Sequence, residues 1–449
     1  MFAEVPPWLV MIVGGLVLPV LPRRVRPTAF LVVSLLALVV VCFLPEGTQW
    51  SVEFVNLNLI LCKVDRLSRV FGIVFSIIAF AGGVYSFHVK ETGHQVAALL
   101  YAGGSLGITF AGDLVTLLIF WELIAIVSAY LVWSRRTREA ERAGMRYLLV
   151  HLFGGSVLLA GVLVHVTAIG AAEIAPMAGN ETPGYWLILF GVVLNAAVPP
   201  LHAWLADAYP KATVTGAVFL SAFTTKSAVY VLARLFPGEE VLVFFGVMMA
   251  LYGVVYAVLA NDIREILAYH IISQVGYMVA GVGIGTEMAL NGTTAHAFSH
   301  ILYKALLFMG AGVVLETTGK SKLTELGGLA KAMPVTLMLY MVGAFSISGF
   351  PLFNGFISKS MVVAAAGESG YSTAYLLLLL ASVGTFLHTG LKLPYFTWFA
   401  ESRGLVPSRP PLNMHIGMSI VAILCIMFGI TPRLLYDLLP FPTEYQPYT

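Results

Sequence analysis

A chain of 449 residues with 59% hydrophobic and 11% charged residues, a net charge of +2 and a mean hydropathy of +0.89 has too little charge to cover a water-soluble surface of its size. Lipid must solvate most of it, and the near-neutral balance gives no footprint for nucleic acid. Three dispersed cysteines, Cys42, Cys62 and Cys425, form no CxxC pair, so neither a disulfide framework nor a metal–sulfur site is expected.

Apolar runs of membrane-spanning length recur along the chain. Fourteen are expected: 6–22, 28–44, 64–87, 94–111, 112–133, 146–169, 185–208, 212–235, 240–260, 263–285, 290–316, 334–366, 370–397 and 412–432. The first lacks a basic leader and a small-residue cleavage site, so it reads as a retained helix. Strands are expected only within 46–63, where SVEFVNLNLIL alternates weakly and suits a small hairpin outside the membrane. The seventh and twelfth spans carry breakers near their middles. These are Pro199 and Pro200 in LNAAVPPLHAWLADAYP, and Gly349 and Pro351 in FSISGFPLFNGFISKS. Interrupted helices in matching places of two halves point to an inverted repeat, and freed backbone groups must face protein or a wet cavity. No strong residue-level similarity between the halves accompanies the paired breaks.

Charge placement tests the count independently. Alternate loops divide 21 of the 25 basic residues as 16 on one side against 5 on the other, and the remaining four lie inside spans. Because cytoplasmic loops are enriched in Lys and Arg, both termini are expected outside the cytoplasm.

Ionisable groups inside spans cost roughly 2.5–3.5 kcal/mol each on insertion scales and are functional candidates by default. Glu122 lies mid-span in LLIFWELIAIVSAY, and Lys226 in FLSAFTTKSAVYVL. His296, His300 and Lys304 recur every fourth residue in AHAFSHILYKALLF and so share one helix face. Lys359 follows the second break, and His388 and Lys392 are four apart in FLHTGLKL. Lys392 could instead snorkel to the headgroups, and His151, His165, His270 and His388 could each simply donate to a nearby carbonyl. For Glu122, Lys226, Lys304 and Lys359 the structural alternative is interhelical ion pairing, yet one mid-span carboxylate cannot pair four lysines. Unpaired buried lysines can exchange protons, the chemistry of a relay. No P-loop, dinucleotide fingerprint, HExxH or nucleophile elbow is present, so no active site, cofactor or metal is expected.

The segments CKVDRLSRVFGIVF, GDLVTLLIFWELIAIVSAYLV, PPLHAWLADAYPKATVTGAVFLSAFTTKSAVYVLAR, NDIREILAYHIISQVGYM, HAFSHILYKALLFMGAGVVL and GFPLFNGFISKSMV resemble the antiporter-like subunit family. That family includes the proton-pumping membrane subunits of respiratory complex I and the D subunit of Mrp-type sodium/proton antiporters, with relatives in membrane-bound hydrogenases. AYHIISQVGYM looks more like the Mrp D branch. The resemblance implies an all-α polytopic membrane protein of about fourteen transmembrane helices. It also implies two inverted five-helix repeats, each with a broken helix, and a hydrated polar axis. The expected organisation is 1–92 as an N-terminal three-helix segment with the hairpin, 93–235 and 236–400 as the repeats, and 401–449 as the C-terminal helix and tail.

Carried over by resemblance, Glu122, Lys226, His296, His300, Lys304 and Lys359 form a proton path, with Asn195, His388 and Lys392 as secondary candidates. The family usually has a lysine just before the first break, partnering the glutamate; here NAAVPPLH places Asn195 there. Either Lys226 takes the pairing role, or the first half no longer gates protons as in the family. The implied role is a proton-translocating subunit of a multisubunit complex in the cell (inner) membrane. Its partners would be other hydrophobic subunits, the lipid bilayer, protons and sodium, and no nucleic acid. The alternatives are the pumping arm of a redox complex and a non-translocating structural subunit.

Overall fold

The structure, a computed structural model, describes residues 5–47, 49–54, 57–178 and 182–448. It opens with α1 (Pro7–Val17), α2 (Arg26–Phe43), the antiparallel hairpin β1 (Gln49–Phe54) and β2 (Leu57–Lys63), and α3 (Arg66–Tyr85). Then come α4 (Thr92–Phe110), α5 (Leu114–Trp133), α6 (Arg138–Ile169), α7 (Pro183–Asn195), α8 (Ala203–Ala208), α9 (Val214–Ala222) and α10 (Thr224–Leu235). The second half runs through α11 (Val241–Leu259), α12 (Ile263–Ile284), α13 (Glu287–Thr318), α14 (Pro334–Ser348), α15 (Asn354–Glu368) and α16 (Ser372–Thr385). Two π-helical stretches, Phe386–Lys392 and Tyr395–Phe399, continue α16, and α17 (Leu412–Ile430) and α18 (Arg433–Tyr436) close the chain. The expected hairpin is present, with Val55 and Asn56 outside the described residues.

Ten of these helical segments are long and apolar enough to cross a membrane, counting α9 with α10 and α16 with its π-helical continuation. Shorter apolar helices are α1, α7 and α14, the last two continued after a break by α8 and α15; α4 adds one more of 19 residues. Together these account for the fourteen expected spans among the described residues.

The halves match at an offset of 149 positions from α4 to α6 against α11 to α13, widening to 151 at α7 and α14. Asp113 caps α5 by accepting from Val115 and Thr116 amides, and Asp262 caps α12 by accepting from Arg264 and Glu265 amides. Each aspartate also sits in an isolated antiparallel bridge, Asp113 with Glu173 and Asp262 with Lys322. Thr137 and Thr286 cap α6 and α13, both 32 residues long, and Gly170 and Gly319 close them in the left-handed region that a Cβ disfavours. The offset corresponds to five spans, and an odd number reverses direction, so the halves run inverted in the membrane. Apolar side chains interchange freely in lipid-facing spans, whereas caps and turns need particular residue types. The repeat therefore survives in the punctuation of the chain.

Enclosure is uneven. The apolar windows of α9–α10, α12 and α13 are each 94% buried, against 28% in α2 and 39% in α6. The first group forms the centre and the second faces lipid. Within the second half, α11 meets α12 through Gly246, Gly253, Gly276 and Gly283, where an added Cβ would run into the opposing backbone. Arg264, at the start of α12, is fully enclosed and donates from Nη2 to the carbonyls of Ala212 and Thr213 at 3.0 Å and Tyr209 at 3.3 Å. This ties α12 to the α8–α9 connection, the anchoring role that its place in a turn suggests.

Candidate functional site

Three helix interruptions position the buried lysines. The first separates α7 from α8 at 196–202, with Ala197 at φ 59°. The second separates α14 from α15, where Gly349 and Leu352 take φ 74° and 72°. Both were expected. The third, between α9 and α10 at Phe223, was not: FLSAFTTKS contains neither proline nor glycine. Interruption frees carbonyls that would otherwise bond within the helix. Lys226 of α10 donates to the Ser221 carbonyl of α9 at 2.6 Å and to Thr225 Oγ1 at 3.2 Å. Lys359 of α15 likewise donates to the Ile347 carbonyl of α14 at 2.8 Å and to Ser382 Oγ at 3.4 Å. In each case an ammonium bridges the two pieces of a broken span.

Lys304 differs. It sits in the middle of α13, fully buried, with Nζ 3.3 Å from His270 Nδ1 on α12 and 5.9 Å from the centre of the Phe308 ring. His296, two turns earlier, places Nδ1 3.1 Å from Ser358 Oγ, next to Lys359. Between them His300 has neither ring nitrogen bonded to protein, and its ring centre lies 6.3 Å from that of His296. Lys226 lies within electrostatic range of both His300 and Lys304, and Lys359 within range of His296 and His300. The five groups expected on α10, α13 and α15 are therefore brought together, and none meets a carboxylate: each salt bridge among the described residues joins groups near the ends of spans. Along the same region His296 Nε2, Ser299 Oγ, Tyr303 OH, Gln274 Oε1 and Asn354 Nδ2 are buried without a protein partner. Polar atoms left this way inside a membrane are normally served by water, so they trace a wettable line between fixed helices.

Glu122 stands apart from this group. It makes no hydrogen bond or ion pair among the described residues, and specifically none with Lys226, whose ammonium is taken up by Ser221 and Thr225. The compensation entertained for Asn195 is therefore absent. Glu122 is partly exposed on the stripe of α5 that presents Ile119 (57% exposed) and Ile126 (54%) outward. Its carboxylate lies against Gly155 of α6, where a Cβ would overlap Oε1. Asn195, the last residue of α7, is fully buried with both amide atoms unpartnered.

The remaining candidates separate cleanly. His151 Nδ1 bonds the Tyr147 carbonyl at 2.8 Å, a helix-internal contact. Lys392 donates to the Val258 and Ala260 carbonyls at 2.6 and 2.7 Å and so caps the end of α11. His270, for which a bond to a carbonyl was one reading, instead touches Lys304 and Thr385 Oγ1, the latter at 3.3 Å. His202 was not singled out by sequence. It lines a polar cavity of about 600 Å3 with Asp207, Lys211, Tyr252, Glu265 and Tyr269, next to the first break. Its signal was its place two residues after the proline pair.

The model of the NADH:quinone oxidoreductase/Mrp antiporter transmembrane family matches residues 111–387, most of the chain and all the central helices just described. The chain belongs to this family. A protein of Methanocaldococcus jannaschii is 30% identical over 74% of this chain and 73% of its own length. One Na+/H+ antiporter subunit of Alkalihalophilus pseudofirmus is 29% identical over 83% of this chain, which spans only about half, 52%, of that larger protein. In fold the chain resembles a component of the Mrp complex from Dietzia, with a TM-score of 0.85 at 24% identity, covering 96% of this chain and 94% of that one. It equally resembles a component of an archaeal membrane-bound sulfane sulfur reductase, a respiratory complex, with a TM-score of 0.87 at 24% identity over 98% and 96%. The same fold thus occurs in an Mrp complex and in a respiratory reductase complex.

Proposed function

We propose that this chain is a proton-translocating subunit of a multisubunit membrane complex, with sodium/proton antiport as its net reaction. The observation that carries the proposal is the enclosure of Lys226, Lys304 and Lys359 without a carboxylate: Lys226 is held by a freed carbonyl of α9, Lys304 by His270 of α12, and Lys359 by a carbonyl of α14 and the Ser382 hydroxyl of α16. Ammonium groups held this way can lose and regain protons as neighbouring charge and hydration change. Protons would pass among Lys226, His300, His296 and Lys359, with Lys304 and His270 as a branch. Residues 93–235 and 236–400 serve as the two half-units, flanked by 1–92 and 401–449. The basic loops lie in the cytoplasm, and both termini lie on the opposite side of the cell membrane.

In this reading Glu122 serves a contact between subunits. An unpaired carboxylate on the lipid-facing stripe of α5 is costly unless a neighbouring hydrophobic subunit covers it. The purely structural alternative required a static Glu122–Lys226 pair, and these side chains are bonded elsewhere or not at all. A redox-coupled complex remains the competing reading, favoured by the fold shared with the sulfane sulfur reductase.

Everted membrane vesicles carrying the native complex test the path. Lys304→Ala and Lys359→Ala should each abolish sodium-dependent proton movement while the complex still assembles. Unchanged flux in both variants would remove the proposed path.

A further inference from the structure

The histidines His270 and His388 lie outside the row on α13, α10 and α15, yet both are fully buried and one touches its lysine. The rings of His270 and His388 meet edge to face, with centres 4.7 Å apart. His270 Nε2 is 3.3 Å from Thr385 Oγ1, the last residue of α16 before the backbone turns π-helical. His388 Nδ1 is 2.7 Å from Thr389 Oγ1, and its Nε2 has no protein partner. One turn further, Lys392 holds the carbonyls that end α11, at the basic-loop end of the bundle. A π-helical stretch changes the side-chain register relative to an α-helix and is frequent at functional sites. Here it occurs where His388 must point at His270 while Lys392 reaches a different helix.

We propose that Lys304 exchanges protons with the cytoplasmic face through His270 and His388, the latter carried by the π-helical segment; this rests on the translocation reading above. In the inward step Nδ1 of His270 takes a proton from the Lys304 ammonium, leaving a neutral amine. The proton on Nε2 then leaves toward Thr385 and is taken up by His388, so His270 returns to neutral with its protons exchanged. His388 passes the charge past Thr389 to the cytoplasmic end, and the reverse sequence loads Lys304. No covalent bond other than N–H and O–H is made or broken.

The test uses the native complex in everted vesicles, whose outer surface is the cytoplasmic one. His388→Ala and His270→Gln should each cut sodium-dependent proton flux by about a hundredfold or more, the scale of a lost proton-transfer group. Imidazole added outside should restore much of the flux to His388→Ala. The variant His388→Gln keeps volume and hydrogen bonding, so it should assemble normally and still be slow. Near-normal flux in His388→Gln and His270→Gln, with Lys304→Ala inactive, would overturn this branch and leave the translocation reading standing. Loss in an assembled His388→Ala complex that imidazole does not restore would make His388 structural and also overturn it. If Lys304→Ala itself retains flux, the failure belongs to the translocation reading.

Discussion

Glu122 and Gly155 form the most exposed dependency at the scale of single residues. A methyl group on Gly155 would occupy the space of the Glu122 carboxylate, so Gly155→Ala should weaken assembly of the complex as Glu122→Gln does, and lower proton flux only through that loss. Parallel flux assays and blue-native gels check this; a fully active Gly155→Ala complex would show that the carboxylate has room to move without consequence. Asn195 makes the complementary case. Its amide can orient water but cannot carry a proton at neutral pH. Asn195→Lys therefore restores the residue type that the resemblance leads one to expect before the first break, and should bring a charge toward the buried centre. The expected readout is altered coupling rather than loss of the fold, measured as sodium moved per proton.

Helices and their ends set the next scale. The ammonium groups of Lys226 and Lys359 are positioned by carbonyls released at helix breaks, so each lysine depends on backbone geometry more than on a side-chain partner. Arg264 performs a related task at the buried start of α12, where three carbonyls of the α8–α9 connection converge on one guanidinium nitrogen. Arg264→Ala strands those acceptors and should lower stability by about 1.5–3 kcal/mol, the scale of a hydrogen bond to a charged group. Thermal unfolding of the detergent-extracted complex reads it, and an unchanged midpoint would mean water replaces the guanidinium at no cost. Lys392→Met should leave the α11 carbonyls uncapped and fray that helix end, seen as faster amide exchange around Val258.

For the whole molecule the inverted halves and the enclosed centre explain why one scaffold serves several machines. The groups proposed to move protons lie inside the chain, whereas the face carrying Glu122 and the peripheral helices offer the contacts through which a complex would be built. Mild detergent extraction followed by mass spectrometry of the co-purifying subunits is expected to find small hydrophobic antiporter subunits. Iron–sulfur or nickel–iron subunits would instead select the redox-coupled reading.

Much of this was legible without coordinates. The low charge, the apolar runs, the basic-loop bias and the breakers at Pro199, Pro200, Gly349 and Pro351 dictate an all-helical membrane bundle with two broken spans, because uninterrupted apolar runs of about 20 residues satisfy their backbone groups in lipid as helices, not as the short alternating strands of a barrel. The ionisable residues worth examining were visible for the same reason, since their cost in a membrane makes them stand out. Tertiary structure alone decided which of them lie together. Glu122 and Lys226 are both mid-span residues, yet one is partly exposed with its carboxylate against α6 while the other is held by the broken α9–α10 segment. The break at Phe223 has neither proline nor glycine to announce it, and Gly390 and Pro394 near His388 do not by themselves specify a π-helical turn. They arise from how neighbouring helices accept freed carbonyls and side chains. Partnership depends on which faces of separate helices meet, and that is fixed by packing rather than by position along the chain.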